Sequence, residues 1–171
     1  MPDVVQTIID GVNDLRRRVG RLERLEYGYT NVGARVWKKA AFSHNSSGSF
    51  MAITFDEERF DTDGMHSTTT NTERLTVVTP GTYAISGHLT FAGNAVGYRQ
   101  IAIRLGGSTY LAVHSTLSVG ANDSTNLSIA TVYNLAATEY VELCAWQDSG
   151  GTLAIAAGPA YSPEFAAARI A

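Results

Sequence analysis

The chain has little charge and almost no cysteine. Charged residues make up 17% of its 171 residues and the formal net charge is −3. That leaves no whole-protein basic field for nucleic acid. The single cysteine, Cys144, excludes an intrachain disulfide. It lies in the apolar run Tyr140-Val141-Glu142-Leu143-Cys144-Ala145-Trp146, where a small buried hydrophobe is expected. No local cation marks it as a reactive thiol. No stretch approaches the roughly 20 apolar residues of a membrane span, so no membrane insertion is expected. Met1-Pro2-Asp3 has neither a basic leader nor an apolar signal core. The sequence also contains no Gly-x-Ser-x-Gly, Walker loop, Cys-x-x-Cys or His-Glu-x-x-His.

What is present is a folded composition, 44% hydrophobic, long enough for one domain and an appendage. Residues 4–26 repeat with a period of 3.5. Val5, Val12 and Val19 take position a, and Ile8, Leu15 and Leu22 take position d, the stripe a coiled coil needs. Arg18 at g and Glu23 at the next e would meet across a parallel bundle. Three heptads containing Gly11 and Gly20 are marginal alone, so the following domain is expected to associate as well. Valine at a with leucine at d nominally favours two strands. Arg16, Arg17, Arg21 and Arg24 form the one basic cluster. They read as a solvated helix face or as a contact for an acidic partner, such as a particle surface.

After the helix the period switches to two. Residues 1–27 read as stalk, 28–35 as a glycine-containing hinge and 36–171 as a β domain. Ten strands are expected: 36–43, 49–55, 73–79, 82–92, 98–105, 109–115, 125–134, 139–147, 152–156 and 164–170. Tyr83, Ile85, Leu89 and Phe91 share a face, as do Ile101, Ile103 and Leu105, with polar residues opposite. Such alternation means one packed face and one wet face. Gly, Asn, Asp and Ser cluster between the runs at sandwich spacing. An all-β sandwich of jelly-roll type follows.

Residues 55–91 resemble the complement globular head and tumour necrosis factor superfamily. The residues that carry the resemblance are Phe55-Asp56, Phe60-Asp61, Gly64, Leu75, Pro80-Gly81, Tyr83 and Ile85. The Gly81-Thr82-Tyr83 step matches one that opens a central strand there, and Phe165 to Ile170 resembles the closing strand beside the N-terminal one. The resemblance implies ten strands and a homotrimer that buries a sheet edge of each copy against the next. Leu75 departs from the usual phenylalanine, and a coiled coil stands in place of a collagen stalk. A narrower resemblance, in Phe60-Asp61-Thr62-Asp63-Gly64-Met65-His66, in Arg74-Leu75-Thr76 leading to Pro80-Gly81-Thr82-Tyr83, and in Tyr161-Ser162-Pro163-Glu164-Phe165, is to small virion proteins of tailed bacteriophages. It implies a minor tail, tail-fibre or head-decoration protein assembled in bacterial cytoplasm.

Chemistry is sparse. Asp61, Asp63 and His66 faintly echo a calcium loop without its closing glutamate; an Asx-type turn is the plainer reading, and no cofactor is expected. Asp56, Glu57 and Glu58 read as a solvated rim rather than a glycosidase pair. His44, His66, His88 and His114 are scattered and read as structural. Tyr98, Tyr110, Tyr140 and Trp146 are expected in the sandwich core or on the trimer axis; exposed together, they would anchor a sugar or protein. The expected function is non-enzymatic attachment to a host glycan or surface protein, with the helix docked to another virion protein. Capsid decoration at threefold positions is the alternative, and a glycan-degrading enzyme is remote.

Overall fold

A computed structural model describes residues 8–19, 32–45, 48–158 and 161–171. The chain divides into two compact units, Met1–Asn31 and Val32–Ala171. In the first, residues 8–19 form an α-helix, α1. Ile8, Val12, Leu15 and Val19 are 42–61% exposed along it. Arg16 and Arg17 are exposed, and Arg17 lies 3.7 Å from Asp14. Val5, Leu22, Arg21 and Arg24 fall outside the described residues. No helix among those described is long and apolar enough to cross a membrane.

The second unit is an antiparallel β-sandwich. One sheet is built on β6 (Gly81–Phe91). Along one edge of β6 run β12 (Glu164–Arg169), β1 (Gly33–Trp37) and β4 (Glu57–Asp61), with β11 (Leu153–Ile155) and β2 (Phe42–His44) beside its far end. On the other edge β9 (Thr125–Leu135) pairs β6 over its whole length. The second sheet has the order β3 (Met51–Ala52), β10 (Tyr140–Gln147), β7 (Tyr98–Leu105), β8 (Thr109–Leu117), with β5 (Arg74–Thr76) also on β10.

Period-two patterning explains which face is buried. Tyr83, Ile85, Leu89 and Phe91 of β6 are at most 1% exposed, and Ile101, Ile103, Val141 and Leu143 of the other sheet have no exposure. Each such side chain contributes about 1.5–3 kcal/mol. Phe55 and Phe165 stack across the core with centroids 6.1 Å apart. As the resemblance implied, Gly81-Thr82-Tyr83 opens the central strand and β12 lies beside β1.

The strands number twelve among the described residues, not ten. The expected strand 36–43 is two strands, because Trp37 ends β1 and the chain turns through Lys38–Ala41 before β2 joins β11. The expected hinge 28–35 overlaps β1: Ala34 is fully buried, and a Cβ on Gly33 would sit 2.6 Å from Ala167 O. That glycine serves close strand approach rather than bending. Strand β4, rich in charge, was absent from the expected set; it is a sheet edge whose side chains largely face solvent.

Candidate functional site

The outer face of the seven-stranded sheet is carpeted with small side chains. Ladder register places Gly33–Ala168–Ala84–Val132 in one cross-strand row and Arg35–Ala166–Ser86–Ala130 in the next. Because every second residue faces outward, these rows form a floor with little height. Cavities of about 530, 290 and 330 Å³ lie along it, lined from Val132 and Ala84 through Ser86 and Ala130 to His88, Ser128 and Tyr161. Together they form a trough beside β6 and β9.

One wall of the trough is charged. Glu164, 9% exposed, accepts from Arg35 Nε at 2.6 Å and from Arg59 Nη2 at 3.0 Å. Burial would raise its carboxyl, but the hydrogen bonds from Arg59 and Arg35 outweigh that and hold it below the ordinary carboxylate range. Arg59 also lies 4.6 Å over the Trp37 ring. One carboxylate thus serves two guanidiniums, which keeps both side chains standing as a wall.

Glu164, His88 and Ser128 fall in one cross-strand row, the residue types of an acyl-transfer triad. They are not assembled as one. Both Glu164 oxygens are taken by arginines.

The sandwich is open at its β8–β9 edge. Tyr133 alternates with the core-facing set of β9, yet it is 40% exposed. Strand β8 is exposed along most of its length. It approaches β9 without pairing with it; His114 Nδ1 lies 3.0 Å from Ser128 O. Two long strands therefore present free edges, a feature that invites pairing or cover.

No family model and no curated protein sequence matches the chain. Among solved structures, the globular domain of the zebrafish complement 1qA protein superposes with a TM-score of 0.58 at 14% identity. It covers 82% of this chain and 98% of that one. Eiger TNF from S. frugiperda gives 0.61 at 12% identity, over 82% and 93%. The head has the complement-head and tumour-necrosis-factor jelly-roll fold. These likenesses establish the fold.

In this jelly roll the remaining expected site residues are engaged locally. Asp61 accepts from the backbone N–H of Asp63, Met65 and His66 at 3.2, 3.0 and 2.9 Å. Asp63 accepts from Thr79 N at 3.0 Å and Thr79 Oγ1 at 3.1 Å. His66 Nδ1 lies 2.9 Å from Glu58 Oε1. Asp61 caps the turn, while Asp63 and His66 tie it to Thr79 and Glu58, and among the described residues no three metal-ligand side chains converge. Asp56 and Glu57 pair with Lys38 and Lys39 at 3.2 and 2.9 Å. His44 is buried on Ala145 O at 2.8 Å. Cys144 is fully buried, and that burial pushes its thiol up to about 12.

The expectation for the aromatics fails in one respect. None of Tyr98, Tyr110, Tyr140 and Trp146 belongs to the sandwich core; all four fall on the outward side of the five-stranded sheet. The alternation that buries Val141, Leu143 and Ala145 sends Tyr140 and Trp146 outward.

At the end of the jelly roll away from Val32 and Ala171, loops are tied together from beneath. Arg99 is fully buried, and its guanidinium donates to the carbonyls of Asn94, Val96 and Tyr98 at 2.9–3.1 Å. Gln147 Nε2 donates to His44 O at 3.0 Å and Gly151 O at 2.8 Å. Asn94 bridges Gly120. Arg99 shares the inward phase of Ile101 and Ile103, but its charge hides that placement in the sequence.

Proposed function

We propose that the chain is a non-enzymatic homotrimer that displays its jelly-roll head from a helical stalk and works without a cofactor. The observation that carries this reading is that one head presents two incomplete surfaces. The open β8–β9 edge is exposed and partly apolar, and the small-residue trough has room for such an edge. Edge into trough is a head-to-tail contact, which closes into a ring when the rotation per copy is right. The exposed α1 stripe adds a second, weaker contact that suits parallel copies. The fold shared with a complement 1q globular domain and a TNF favours binding over catalysis, and the doubly paired Glu164 argues the same way.

The trimer is read as a virion surface protein of tail-fibre or minor tail type, with its helix on another virion protein and its head toward a host glycan or surface protein. Support for that setting is the sequence resemblance at 60–66, 74–83 and 161–165. Decoration of a capsid at threefold positions is the second reading; Arg16 and Arg17, exposed on α1, favour it as contacts for an acidic shell.

Ala130 is exposed on the trough floor, so Ala130→Arg should leave the fold unchanged by circular dichroism. In full-length chain carrying Val12→Asp and Leu15→Asp, adding Ala130→Arg should reduce the mass from three copies to one. A mass that stays at three copies would place the main interface elsewhere.

A further inference from the structure

We propose that the outer face of the five-stranded sheet, at its end away from Val32 and Ala171, is a platform for a neutral saccharide. This rests on reading the head as a presenting module and names the ligand class for it. Register sets Tyr98 opposite Leu117, Gln100 opposite Ser115, and Ala102 opposite Val113. Strand β10 adds Trp146 opposite Gln100. Tyr98, Leu117 and Val113 are 47%, 60% and 51% exposed. Trp146, half-buried, is the diagonal neighbour of Tyr98, a spacing of about 7–8 Å. Two rings therefore flank an amide and a hydroxyl.

That combination suits sugar. Rings take the C–H face of a pyranose, and the Gln100 and Ser115 groups take its hydroxyls. The Gln100 and Ala102 rows hold no charged side chain; the row beyond them is Arg104 with Glu142, paired at 2.9 Å. Asp148 borders the strip, its carboxylate accepting from the Tyr98 N–H. A charged ligand would find little counter-charge on the strip itself. Size points the same way: Ala102 and Cys144 are fully buried, so the open strip is smaller than three strands by three rows, roughly 200 Å², against the roughly 800 Å² each partner buries in a protein complex. Arg99 holds the Tyr98 segment from below, so the ring is pre-positioned, and pre-positioning lowers the ordering cost of binding.

The chain has two tryptophans, so Trp37→Phe leaves Trp146 as sole reporter. Its emission is titrated with neutral hexasaccharides of glucose, mannose and N-acetylglucosamine. We expect a saturable change with at least one of them, weakened about ten-fold or more by Tyr98→Ala and unaffected by Tyr161→Ala on the opposite sheet. Saturation-transfer NMR on the unmodified chain gives the same readout if Trp37→Phe fails to fold. The proposal is overturned if none of the three sugars produces a signal, or if Tyr98→Ala binds as tightly as the parent. Mass measured on the same sample separates the two ideas: a trimer that ignores all three sugars sinks this proposal alone, whereas a monomer sinks the assembly reading.

Discussion

Gly87 on β6 and Leu143 on β10 face each other across the core. A Cβ on Gly87 would lie 2.6 and 2.9 Å from the two Leu143 methyl carbons and 3.2 Å from Glu164 O. Gly87→Ala therefore overpacks the gap between the sheets, at about 1–3 kcal/mol. Alanine restricts the unfolded chain and returns about 0.4–1 kcal/mol, for a net loss of about 1–2 kcal/mol. Leu143→Ala alone leaves a cavity and costs about 2–5 kcal/mol. Combined, the new methyl at 87 enters space that Leu143 vacates. The double variant should then be more stable than the summed losses by about 1 kcal/mol. Guanidinium unfolding of all four proteins, at one fixed chain concentration because assembly contributes to stability, measures the coupling. Losses that add to within about 0.3 kcal/mol, or a stabilising Gly87→Ala, would refute the proposed closeness of the sheets at this point.

Three further outcomes are expected. Val12→Asp with Leu15→Asp should abolish stalk association but leave a trimeric head; a monomer would show that the stalk is the main interface. Glu164→Gln should cost about 1–2 kcal/mol at pH 7, a buried acceptor loss discounted because both arginines are about half-exposed. Since the Glu164 carboxyl sits below its ordinary value of 4.5 when folded, its contribution is present above about pH 4.5 and fades as pH falls further. Glu164→Gln should flatten that acid limb of the stability profile, and an unchanged limb would contradict the pairing. Asp61→Ala removes the acceptor of three backbone N–H groups and should cost about 1–3 kcal/mol equally in calcium and in chelator; a loss seen only in calcium would revive the metal reading.

The legible parts of the fold were those with apolar alternation. Strands β6, β7, β9 and β10 fall within a residue or two of their expected limits, because Tyr83, Ile85, Ile101, Leu127 and Leu143 repeat at period two. Strand β1 was hidden because Gly33 and Ala34 carry too little side chain to signal burial. Strand β4 was hidden because Glu57-Glu58-Arg59 looks like a loop, although at a sheet edge such residues are well suited to water. The trough was invisible for a related reason: Ala84, Ser86, Ala130, Ala166 and Ala168 become a surface only when three strands lie side by side. Likewise Arg35, Arg59 and Glu164 are brought together across more than a hundred residues. The turn at Asp61 was readable because its partners lie within five residues.

The assembly stands or falls on molar mass. Sedimentation equilibrium of the full chain at micromolar concentration should return about 55 kDa, three times the 18.3 kDa of one copy. A single species at the mass of one copy would contradict it.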